Sequence, residues 1–271
     1  MSLHPRYLAL LCLSALFARA SEPASHAPFA VTYTRPAAIP SASDESAELV
    51  DRLVRSAAAL DASLPSITAH EVVETEQAHG ILTRRSQGEG TVRVLRIADR
   101  GILEETHQMT DRNGKPLASD DRKAPAQLSD GFIGAQEMFF SRATRPCFTF
   151  TLAPQATFGD PLKLSITLSP NYASMPGCPS GLEGLTGVAL VDPTTHQLTH
   201  LERMVPAAAG ALDRYVSTNY EPASVGDKTF WLPALTLSSG IQGKTRTYTM
   251  VSYSDYHQYA ASVTVLADAS Q

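Results

Sequence analysis

Tryptophan is almost missing from this chain, cysteine is scarce and basic residues fall short of acidic ones: one Trp, three Cys, and 22 Lys and Arg against 27 Asp and Glu. Without clustered positive charge the chain is a poor partner for nucleic acid or for anionic membrane surfaces, both of which are held by grouped Lys and Arg. No apolar run approaches the about 20 residues of a membrane-spanning helix. Catalytic signatures are missing as well. There is no G-x-S-x-G elbow, since GCPSG at 177–181 puts Ser180 one place late. No Gly-rich phosphate loop follows a strand, and no repeat of fixed length recurs. These absences predict no cofactor and leave little local reason to expect an enzyme, although a secreted hydrolase assembled from distant segments stays open.

What is present begins with an address. Arg6 precedes an apolar run at 7–17, and Ala18-Arg19-Ala20 follows as a small-x-small cleavage site. This predicts a removable secretory signal over 1–20 and a periplasmic or secreted mature protein. Residues 21–43 carry four prolines and no lasting periodicity, so they read as a flexible arm, and 44–271 reads as one domain. Removing the leader takes away two arginines and leaves a formal charge of −7, with 20 basic and 27 acidic side chains.

An oxidising compartment makes the cysteines legible. Cys12 leaves with the signal, so Cys147 and Cys178 are expected to pair as a disulfide. The closed loop of about 32 residues corresponds to roughly 3.7 kcal/mol in chain-entropy terms, an upper figure.

The element pattern is one helix and then mostly strands. From Ser43 or Asp44 as cap, Leu49, Leu53, Ala57 and Leu60 recur on one face, predicting an amphipathic helix over 44–61. ITAHEVVETEQA, TVRVLRI, ILEETHQM, FTFTL and LKLSITL alternate as strands, with turns at 98–101 and 112–116. LSDGFIGAQEMFF at 128–140 suggests a short second helix begun by Asp130. The C-terminal third holds three or four longer strands. A turn is expected at Gly226-Asp227 and a loop between Gly240 and Gly243, and Pro233 implies an edge or a bulge. Tyr248 and Met250 fall on one face of their strand, Val251 and Tyr253 on the other. Apolar residues on both faces fit a sheet with a helix on one side and a further layer or cavity on the other.

Two motifs could carry metal chemistry. His196 and His200 lie four apart, about 6 Å on a helix and able to share zinc, but roughly 13 Å on a strand. D-P-T-T at 192–195 is type I turn chemistry, so 187–205 reads as a hairpin, both imidazoles point the same way, and no metal is expected. In HEVVETE, His70, Glu74 and Glu76 share a strand face with Val72, which imitates an acid–base cluster and equally suits the solvated face of an amphipathic strand. Glu104 and Glu105 point to opposite faces and cannot act as a pair.

The order of helix, antiparallel strands, a VDPTTHQLTHLERM hairpin at 191–204 and a closing VSYSDY at 251–256 resembles the periplasmic lipoprotein-carrier superfamily (LolA/LolB/RseB-like). The resemblance covers 44–265 in element order and those two stretches in residues. It implies a mainly β (α+β) fold: a curved antiparallel sheet or incomplete β-barrel, with one N-terminal amphipathic helix and a short second helix covering the concave side. It also implies an apolar cavity that takes acyl chains. The loop between Cys147 and Cys178 and the segment 128–180 depart from that pattern.

On this basis Trp231, Phe139, Phe140, Tyr248 and Met250 are the candidate ligand-lining residues. Core or edge packing is the better-weighted reading of Trp231, and the Phe139–Phe140 pair reads either as a cavity lid on a short helix or as helix-to-sheet packing. The expected role is a non-catalytic envelope protein that holds a lipid or acyl chain, with an envelope protein as the alternative partner.

Overall fold

Helix α1 (Ala42–Ser63) opens the structure, a computed structural model that describes residues 42–97, 102–118, 134–205 and 213–259. The leader at 1–20, almost all of the arm and the turn at 98–101 lie outside these residues. Asp44 and Glu45 occupy the first turn of α1, where carboxylates meet the positive end of the helix. Leu49, Val50, Leu53 and Ala57 form its buried stripe, as the spacing predicted. Its C-terminal end is fastened by Arg96, whose guanidinium donates to the carbonyls of Asp61 and Leu64.

The strands follow as β1 (Ile67–His79), β2 (Leu82–Ile97), β3 (Ile102–Met109), β4 (Asp111–Arg112) and β5 (Lys115–Pro116). After α2 (Gly134–Phe140) come β6 (Phe148–Leu152), β7 (Leu162–Leu168), β8 (Thr186–Val191) and β9 (Leu198–Val205). The last three are β10 (Asp213–Val225), β11 (Lys228–Gln242) and β12 (Thr245–Gln258). Ten strands make one antiparallel sheet in the order β3-β2-β1-β12-β11-β10-β9-β8-β7-β6, open at β3 and β6. The pairing of β1 with β12 joins the first strand to the last. Strands β4 and β5 form a separate hairpin whose Asn113 and Gly114 both hold positive φ, as a type I′ turn requires.

The fold is therefore mainly β with one long and one short helix. Details of the element boundaries differ from the sequence reading. The second helix begins at Gly134, and Asp130 lies outside the described residues. Gly240 is not in a loop; it pairs with both Arg214 and Thr247 within β11, and the turn falls at Gly243. Pro233 does sit beside a bulge, where the β10–β11 register shifts after Asn219, and the β11–β12 pairing starts only at Leu235. Its missing N–H therefore costs no ladder bond, and its carbonyl accepts from the Tyr256 hydroxyl.

Register divides the sheet into two faces. The rung Leu201–Thr218–Thr236–Val251–Val73 lies on the helix side. There α1 and α2 close over Leu164, Ile166, Ala189 and Leu201. A second cluster gathers Ile67, Val73, Val92, Val94 and Val251 with Leu64 at the end of α1. Cys147 and Cys178 are bonded, tying the residue before β6 to the loop before β8 across 31 positions. Replacing both by serine is expected to lower stability by roughly 2–4 kcal/mol, measured as a fall in the urea midpoint, with a steeper slope as the unlinked unfolded chain exposes more surface.

Candidate functional site

The two histidines that could have shared a metal do not converge. His196 sits in the β8–β9 turn with a positive φ of 56°, held by Asp192, whose Oδ1 accepts from the backbone of Thr194 and Thr195 and from the Thr195 hydroxyl. Those bonds, Thr195's first, keep the Asp192 carboxyl below its usual range. The His196 ring lies 3.5 Å from Arg52 on α1. His200 lies on β9 and faces away from the helices, with Asn219 at 2.5 Å and Glu202 at 2.9 Å. The expectation that both rings point the same way fails because the left-handed backbone at His196 breaks the strand alternation. Among the described residues no cluster of three His, Cys, Asp or Glu is arranged to hold a metal.

On the face opposite the helices the sheet carries an open groove of about 680 Å³. Direct cross-strand pairing builds its floor: Leu237 against Met250, and Tyr215 against Ser239 against Tyr248. Leu237 is 41% and Tyr248 48% exposed, high values for apolar side chains in the middle of a sheet. Burial pushes the Tyr215 phenol above its usual range, and the nearby Glu202 carboxylate adds to the shift. The wall toward β1 and β2 is polar, formed by Glu74, Glu76, Arg85, Gln87 and Asn113. Arg85 is engaged by Glu76 at 2.7 Å.

The sequence candidates divide among three places. Tyr248 and Met250 line this groove. Trp231 instead lines a second cavity of about 440 Å³ with Leu60, Leu198, Tyr220 and Phe230, beside the end of α1. Phe139 and Phe140 are fully buried, the first edge-on to Phe148 at 5.0 Å and the second stacked on Phe150 at 5.9 Å. Both rings therefore pack helix against sheet. Tyr215 and Leu237 escaped the sequence reading because only the register of β10 and β11 brings them beside Tyr248 and Met250.

Sequence reasoning also missed a buried ionic cluster. His107 on β3 places Nδ1 at 2.7 Å from Glu71 Oε2 and Nε2 at 2.6 Å from Glu105 Oε1. The imidazole is 3% and the Glu71 side chain 0% exposed. Burial alone would lower the His107 pKa, but the hydrogen bonds to Glu105 and Glu71 and their charges raise it to about 9. The ring is thus an imidazolium held between two carboxylates. Gly90 on β2 makes room: a Cβ there would fall 2.7 Å from the Gln108 carbonyl oxygen and 3.1 Å from Glu71 Oε1. Tyr253 on β12 is held well above its usual range, by burial first and then by the charges of Glu71 and Glu105. A signal was available, since Glu71 shares the alternation of Ile67, Ala69 and Val73, the apolar face of the first half of β1. His70, Glu74 and Glu76, grouped in the sequence reading, do not form one cluster: His70 lies 3.6 Å from Glu89, and Glu76 takes Arg85.

No family model matches the chain, and no curated protein does. Solved structures similar to it include a DUF1329 family protein from Desulfovibrio piger ATCC 29098, at 8% identity over 79% of this chain and 93% of that one, with a TM-score of 0.41. A LolA superfamily protein from Nitrosomonas europaea is similar at 9% identity over 79% and 94%, with a TM-score of 0.35. The MucA/MucB complex of Pseudomonas aeruginosa is similar at 10% identity over 78% and 99%, with a TM-score of 0.20. Likeness at this level concerns the course of the chain and carries no substrate or partner with it.

Proposed function

We propose that this chain is an exported, non-catalytic binding protein of the cell envelope that holds an apolar ligand, a lipid or acyl chain, along the open face of its sheet. The observation that supports this reading is a floor of exposed Leu237 and Tyr248 with half-buried Tyr215 and Met250 in a groove of about 680 Å³, within the roughly 300–1,000 Å³ typical of small-molecule sites. Exposed side chains of this size on adjacent strands gain by being covered, at roughly 1.5–3 kcal/mol for each one fully removed from water. No helix among the described residues is long and apolar enough to cross a membrane.

The test is native mass spectrometry on protein exported by its own host, with and without Leu237→Arg. The wild type should carry lipid adducts or take up added fatty acid. The variant, losing one apolar contact and placing a charge in the floor, should bind about 10- to 100-fold more weakly. A clean mass with no uptake on titration would overturn the proposal.

A further inference from the structure

Resting on that groove reading, we infer that the occupant is a lipid-like amphiphile with an ammonium head, and that Glu74 and Tyr248 receive the head while Met250, Leu237 and Tyr215 take the chain. Glu74 lines the groove and lies directly opposite Met250 in the β1–β12 pairing. It has no hydrogen bond or ion pair among the described residues, whereas the neighbouring carboxylates are engaged, Glu76 by Arg85 and Glu202 by His200. Tyr248 pairs with Glu76 and is therefore the diagonal neighbour of Glu74, within reach of an aromatic side chain. An unengaged carboxylate beside a half-exposed aromatic ring is the chemistry that recognises alkylated nitrogen, with charge on one side and the negative π-face on the other.

Charge selects against the opposite head group. Arg85 is the one cation lining the groove among the described residues, and Glu76 already occupies it, so a phosphate or sulfate would face Glu74 without a partner. The whole chain is also acidic, with a formal charge of −5. The apolar side chains succeed one another away from Glu74, on β12, β11 and β10. Three strand spacings give about 14 Å of floor for a chain laid across the strands.

The experiment is calorimetric titration of the protein with dodecyltrimethylammonium, dodecyl maltoside and dodecyl sulfate, each kept below its micelle-forming concentration. Wild type should prefer the ammonium amphiphile to the neutral one by about five- to tenfold. Glu74→Gln should erase that preference while leaving maltoside binding within about twofold, and Leu237→Arg should weaken both. Equal binding of ammonium and neutral amphiphiles overturns this inference and leaves the groove reading intact. So does a preference that survives Glu74→Gln. If no amphiphile binds, the groove reading itself fails and both are overturned.

Discussion

His107→Ala should destabilise the protein by about 3–5 kcal/mol, the usual loss when one partner of a buried charge pair is removed. The expectation follows from what the ring leaves behind. Glu71 is fully buried, and its Oε2 loses the His107 bond while its Oε1 already lacks a partner among the described residues. Glu105 loses its 2.6 Å bond to the same ring. Two carboxylates then lose the ring that stood between them. The three side chains lie on β1 and β3 with β2 between, so the ion cluster pins the edge strand of the sheet from the inside. Urea titrations followed by circular dichroism measure the loss, and local exchange of the β3 amides should rise before those of β11 and β12.

The same cluster sets an alkaline limit on stability. His107 has a folded pKa raised to about 9 from the usual 6.5. A raised imidazole contributes fully below about pH 6.5, and the contribution is lost as pH climbs through about 9. A shift of that size amounts to roughly 3 kcal/mol. The groups that face the ring are Glu71 from β1, Glu105 from β3 and, through those charges, Tyr253 from β12. Tyr253 and Tyr256 are raised as well, by burial first. A neutral phenol held high by the fold loses stability only above its unfolded pKa near 10, so midpoints taken between pH 6 and 9.5 isolate the imidazole. Wild type should weaken across that interval. His107→Ala should stay nearly flat, and a wild-type profile equally flat would remove the imidazolium from the account.

Where local chemistry set the structure, the sequence was readable. The α1 stripe needed only helical spacing, the β8–β9 hairpin only its Asp-Pro turn, and the Cys147–Cys178 bond only the count of two cysteines beyond the expected leader. Strand β2 shows the opposite case. Its N-terminal half, LTRRSQGEG, has no alternation and two glycines, and it is a strand because each residue from Leu82 to Val94 finds a partner on β1. The groove was half legible for the same reason. Alternation put Tyr248 and Met250 on one face, but their companions come from β10 and β11 through register that no single strand encodes. Glu71 escaped the sequence reading because a carboxylate at an apolar-parity position is stable only with a partner, and His107 is 36 residues away.

Phe139→Ala should cost about 3–5 kcal/mol, as large aromatic deletions in closed cores do, and should leave the groove's binding untouched. Phe139 is fully buried and meets Phe148 edge-on, while β8 yields to it: a Cβ on Gly187 would lie 2.9 Å from Phe139 Cζ and 2.9 Å from the Glu202 carbonyl oxygen. The ring thus rests on strand backbone, and the absent side chain at 187 is part of its socket. Gly187→Val should therefore destabilise by roughly 1–3 kcal/mol through overpacking against a ring end and a carbonyl, neither of which can swing aside. Both substitutions act on the helix side of the sheet. Leu237 and Met250 stand on the other side, separated from them by the strand backbones, so dodecyl maltoside titrations well below each variant's melting temperature should match wild type within about twofold. If Phe139→Ala weakens uptake beyond that while the protein is still folded, the ligand sits under α2 and the open face is not its place.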